Sequence, residues 1–151
     1  MEVLKYAAKL FKERPAVYHS PPVQLALSIF KAFKDMNYAR FFSILESPST
    51  PYLFCCIMFK HVEIMRRIAL HIMSRSYGGQ LKTGEAIQDQ YPLKCLVRLL
   101  CFEDEDEAKK TCVFYNITVK EYTSQSTGEI GDVIYWKASR FKVPKDPEKG
   151  H

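Results

Sequence analysis

Among residue types that do chemistry, the sequence offers four histidines, five cysteines, one acidic run and a spread of lysines and arginines. Nucleophilic catalysis needs a serine or cysteine held beside a base, and His19, His61, His71 and His151 stand in no such motif. A zinc site needs ligands paired at short spacing, which Cys95, Cys101 and Cys112 lack. The run EDEDE, Glu103 to Glu107, has neither the glycine nor the alternating ligands of a calcium loop; an acidic helix start explains it. Gly78-Gly79 precedes no lysine at phosphate-loop spacing. The expectation is a protein with no catalytic residues, no cofactor and no metal.

Phosphate neutralisation is the chemistry that remains. Lys94 and Arg98 lie four residues apart on the outer side of a patterned helix, and Lys109 and Lys110 follow on the next. Lys120, Lys137, Arg140 and Lys142 surround a hairpin pattern. Such a set neutralises phosphates without reading bases, and an ordinary solvated face would look the same. The acidic residues opening the second helix would repel a phosphate backbone, which argues against major-groove reading. Phe30, Phe33, Phe41, Phe42 and Phe59 fall on helix core faces, so packing accounts for most of the aromatic content better than base stacking. Tyr135 and Trp136 alternate across a strand, so one of them is expected at the surface or an interface.

The elements that would hold these residues follow from periodicity. Leu93, Leu96, Val97 and Leu100 share one helix face behind Pro92 at a first helical position. Asp104 and Glu107 mark a second helix start, with Ala108, Thr111, Cys112 and Tyr115 on one face. After Asn116 the period falls to two through Ile117 and Val119, and VIYW closes a hairpin. Two short helices at a corner and then a hairpin are the order of a winged helix.

Upstream, the pattern predicts an amphipathic helix ended by Pro15, a helix capped by Ser20-Pro21, and a third through Tyr38, Phe41, Phe42 and Leu45. A fourth, capped by Thr50, runs from Leu53 to Phe59, and a longer one from His61 has Met65, Ile68, Ala69 and Ile72 inward with Arg66, Arg67 and Arg75 outward. Ala86 to Tyr91 is read as a short strand. Antiparallel helices with proline-marked corners suggest pairs stacked in a solenoid. Such a stack, starting at residue 1, lacks a cap, so a piece of a longer protein is expected. The divisions are 1–60 for the stack, 61–144 for the winged-helix subdomain and 145–151 for a tail.

Composition sets outer bounds. With 151 residues, 47% of them hydrophobic, the chain can bury a core, and a net charge of +5 carries little weight alone. No apolar run reaches the length of a membrane span, and the charged N-terminus is a poor signal peptide. The cysteines fall among apolar residues, which favours reduced, buried thiols in the cytosol or nucleus. Asn116-Ile117-Thr118 reads as a helix exit rather than a glycosylation site.

Together these segments resemble a known family. Asn37, Tyr38, Arg40, Phe41 and Phe42 form an N-Y/F-x-R-F-F element, and Tyr52, Leu53 and Cys56 a Y-L-x-x-C-type helix. Arg67-Ile68-Ala69-Leu70, the stretch Y-P-L-x-x-L-V-R-L-L at 91–100, the acidic helix and W-x-x-S-x-F-x-x-P at 136–144 complete the order. Over residues 22–145 the chain is similar to the Sac-three/GANP family of messenger-RNA export scaffolds. That resemblance implies a mostly α fold, a PCI-type helical repeat followed by a winged helix with a small β-hairpin. It implies pairing with a second PCI-domain protein, a small acidic peptide of the Sem-one/Dss-one kind, and sequence-independent RNA binding as part of the TREX-two complex at the nuclear pore. Phosphate contacts would come from Lys94, Arg98, Lys109, Lys110, Lys120, Lys137 and Arg140. The partner surface would involve Val133, Tyr135, Trp136 and Phe141 on an open strand edge. Other members of the family are linked to centrosomes and spindles. Two alternatives stay open: a PCI scaffold of another assembly, such as the proteasome lid, with no nucleic-acid role, and a free-standing winged-helix DNA binder.

Overall fold

The computed structural model describes residues 2–78, 90–123, 128, 130–136 and 138–144. The chain divides into two compact units, Met1–Phe59 and Lys60–His151. Among the described residues the fold is mostly helical, with seven helices and one small antiparallel sheet.

In the first unit, prolines and caps set the corners. Helices α1 (Glu2–Glu13), α2 (Pro15–Tyr18), α3 (Pro21–Lys34) and α4 (Tyr38–Glu46) follow one another closely. Pro15 and Pro21 open their helices at positions where no backbone donor is needed. Asn37 caps α4 by accepting from the Arg40 N–H at 3.0 Å. Ile29, Ala32, Phe41 and Phe42 are buried, and the rings of Phe41 and Phe42 meet edge to face at 5.3 Å. The apolar stripe of α1 is only half covered, since none of its residues is buried.

Helix α5 (Tyr52–Gly78) replaces the two helices expected over this stretch. Nothing between Tyr52 and Tyr77 can break it, because the segment holds neither proline nor glycine. Thr50 does not cap it; its hydroxyl donates back to the Ile44 carbonyl. The inward face of the later turns is Met65, Arg66, Ala69, Leu70 and Met73, with Ile68 and Ile72 half-buried. Arg66 is therefore inside, not outside as its spacing suggests. Phe59, placed on a core face by pattern, is 75% exposed.

The second unit adds β1 (Gln90–Pro92), α6 (Leu93–Leu99), α7 (Glu105–Phe114), β2 (Thr118–Thr123) and β3 (Ile130–Tyr135). Strand order is β1-β3-β2, both pairings antiparallel, with Tyr91 and Val119 each opposite Ile134. Pro92 ends β1 and is the N-cap of α6, one place earlier than expected. Leu93, Leu96 and Leu100 are fully buried beside Phe102, Ala108, Cys112, Ile117 and Ile134. Most of the predicted strand at 86–91, and the tail at 145–151, lie outside the described residues. No helix among the described residues is long and apolar enough to cross a membrane.

Three helices end in the same way. Met36, Cys101 and Asn116 have φ of 54, 50 and 60°, the left-handed conformation that closes a helix C-terminus. The next residue's N–H then reaches back five places, from Asn37 to Ala32, Phe102 to Val97 and Ile117 to Cys112. Only asparagine among the three commonly takes this conformation.

Candidate nucleic-acid and partner interface

The corner between α6 and α7 positions the basic residues, and Arg66 holds that corner. Its Nε donates to the Leu100 carbonyl at 3.2 Å and its Nη2 to the Cys101 carbonyl at 2.6 Å. Its Nη1 reaches Glu107 at 2.7 Å and Glu63 at 3.1 Å, and the guanidinium lies 4.0 Å over the Phe102 ring. A planar cation with five donors suits this job, because it can meet two carbonyls and a carboxylate at once. Glu107 also accepts from the Glu103 N–H, while Asp104 caps α7 by accepting from the Glu107 N–H at 2.7 Å. The expected helix start is thus also the anchor of the buried arginine.

With the corner fixed, α6 presents Lys94, Cys95 and Arg98 to solvent. Lys94 and Arg98 are in no ion pair among the described residues. Lys110, Lys120 and Arg140 are exposed as well, with the Lys120 ammonium 5.8 Å over the Tyr135 ring. Lys109 is different: it donates to Asp132 Oδ2 at 3.0 Å across to β3. That hydrogen bond, with the attraction of the same carboxylate, holds the Lys109 pKa above the ordinary lysine range. Lys137 lies outside the described residues.

The proposed partner residues are placed less uniformly. Val133 and Trp136 are buried in the chain's own core, while Tyr135 and Phe141 are half-buried. Trp136 packs with Tyr77 and Tyr91, ring centres 6.0 and 6.2 Å away, and a Cβ on Gly78 would come within 3.3 Å of the Trp136 carbonyl. Phe141 is layered between His71 at 4.9 Å and Tyr115 at 5.3 Å, near-parallel to both. The open-edge premise needs correction: β3 is the central strand, flanked on both sides, so among the described residues the unpaired edges belong to β1 and β2. On the hairpin, Ile130 is 71% and Tyr122 38% exposed.

The thiols are not uniformly buried as expected. Cys112 is buried, and desolvation pushes its pKa up to about 12, whereas Cys56 and Cys95 are exposed. Burial likewise raises the Tyr115 hydroxyl, partly offset by Arg67. Among the described residues no cluster of His, Cys, Asp and Glu could hold a metal ion. Arg66 was missed in the sequence because one arginine in a helix carries no sign of its depth.

A run of helices, a helix corner and a small three-stranded antiparallel sheet define a mostly helical module. The SAC3/GANP family pattern matches residues 1–121, and the chain belongs to that family. It is similar to Protein xmas of Drosophila melanogaster, 30% identical over 101 residues, covering 67% of this chain and 5% of that protein. It is also similar to SAC3 family protein 1 of Schizosaccharomyces pombe, 22% identical over 103 residues, covering 68% of this chain and 9% of that protein. The chain thus spans under a tenth of the length of these relatives. No solved structure matches it.

Proposed function

We propose that this chain is a non-enzymatic PCI assembly module whose second unit is a winged helix. In this reading it pairs with a second PCI-domain protein, accompanied by a small acidic peptide of the Sem-one/Dss-one kind. The joined surface binds RNA without regard to sequence, in nuclear messenger-RNA export at the pore. Family membership supports the scaffold role. The observation that carries the RNA part is the outer face of α6, where Lys94 and Arg98 stand exposed one turn apart.

Phosphate contact is assigned to Lys94, Arg98, Lys110, Lys120 and Arg140, with Lys137 kept from the sequence. Lys109 contributes less, because Asp132 already neutralises it. Partner contact falls to half-buried Tyr135 and Phe141 and to exposed Ile130 and Tyr122, the last on β2, whose outer edge is unpaired among the described residues. Such an edge offers unpaired N–H and C=O groups to an added strand.

A scaffold with no nucleic-acid role is favoured by one feature, the exposed carboxylates of Glu103, Asp104 and Asp106 beside the same corner. One experiment separates the two. In the assembled complex, Lys94→Glu with Arg98→Glu should weaken single-stranded RNA binding and flatten its salt dependence. Two lost phosphate contacts lower the slope of log affinity against log salt by about 1.4. An unchanged slope would leave a protein scaffold alone.

A further inference from the structure

One cleft in the first unit has a chemistry that the assembly reading does not use. It measures about 320 Å³ and lies between α3, α4 and the turn into α5, lined by Ser28, Arg40, Ser43, Ser47, Ser49 and Thr50. Five hydroxyls and one guanidinium are donors suited to an oxyanion, and no carboxylate lines the cleft. Glu46, the nearest acid in sequence, is exposed and not among the lining residues. Arg40 is exposed and in no ion pair among the described residues.

Two of the hydroxyl residues precede proline, in Ser47-Pro48 and Thr50-Pro51, the pattern that proline-directed kinases select. They differ in availability. Both residues are half-buried, but the Thr50 hydroxyl holds the turn through the Ile44 carbonyl. The Ser47 hydroxyl bonds the exposed Ser49 hydroxyl at 2.8 Å, a partner that water replaces easily. Its backbone, at φ −63 and ψ 130°, is already in the extended geometry a residue takes before proline.

We propose that Ser47 is a phosphorylation site for a proline-directed kinase, and that Arg40 holds the resulting phosphate in this cleft beside the Ser28 and Ser43 hydroxyls. In the transfer, Ser47 Oγ attacks the γ-phosphorus of ATP bound to the kinase. An Oγ–P bond forms, the bond from the γ-phosphorus to the bridging oxygen breaks, and ADP leaves. The hydroxyl proton passes to the kinase's base. The new dianion ties the α4–α5 turn to α4 through a charge-assisted pair.

The test treats the full chain with a proline-directed kinase and ATP, maps the phosphate by mass spectrometry and follows it by phosphorus NMR against pH. Expected is modification at Ser47, absent in Ser47→Ala, with a second phosphate pKa below the free phosphoserine value of about 6. Arg40→Gln should return that pKa to the free value, and Arg40→Lys should keep part of the depression. Modification at Thr50 alone, no modification, or a Ser47 phosphate indifferent to Arg40→Gln would each overturn the proposal.

Discussion

At the scale of single residues, Arg66 does the most. Its charge is 6% exposed and is met by two carboxylates, two carbonyls and a ring. Removing it leaves those groups facing each other at the α6–α7 corner. Arg66→Ala should cost about 3 kcal/mol, the lower end for a broken buried pair, because Glu107 and Glu63 keep partial solvent contact. Urea unfolding measures this directly, and a loss under 1 kcal/mol would mean the corner holds without it. Lys109 makes a prediction with a sign. Its folded pKa is raised, so the stabilisation from Asp132 is complete below the unfolded value of about 10.4 and is lost as pH rises through the folded one. The stability gap between wild type and Lys109→Met should therefore be constant through neutral pH and narrow in alkali. Neither role was readable beforehand. Burial of a single charged residue depends on what packs over its helix, and the chain around Arg66 and Lys109 looks like any solvated helix.

At the scale of elements, legibility followed local chemistry. The α6 face, the Asp104–Glu107 start and the Asn37 break all carry local signals, and the structure realises each. The sequence reading divides α5 between Phe59 and His61, yet no residue there can end a helix. The strand read over 86–91 overlaps β1 at Gln90 and Tyr91, and three residues are too few for alternation to set its bounds. The helix exits at Met36 and Cys101 were silent for another reason: neither residue favours the conformation it adopts. Met36 is more than half exposed, so the strain is the main difference glycine would relieve. Met36→Gly should stabilise the protein by about 0.5–1 kcal/mol, since left-handed geometry costs a methionine more than unfolded freedom costs a glycine. A melting temperature unchanged or lowered would show that the methionine packs to a purpose.

At the scale of the molecule, the candidate site is a surface rather than a pocket, and this limits what sequence can say. Cations on α6, α7 and β2 were visible as residue types, but which remain available depended on tertiary pairing, as Lys109 and Asp132 show. The sequence places the partner residues on an open edge, whereas β3 is the middle of the sheet, with β1 on one side and β2 on the other. The chain belongs to the SAC3/GANP family, and the proposed assembly around nucleic acid rests on its exposed cations and strand edge. The most direct measurement is recovery of the tagged chain from nuclear extract, with its companions identified and quantified by mass spectrometry. Expected is a second PCI-domain protein together with a small acidic peptide, in amounts comparable to the bait. Absence of any PCI protein, with duplex DNA binding by the chain alone, would contradict the assembly reading.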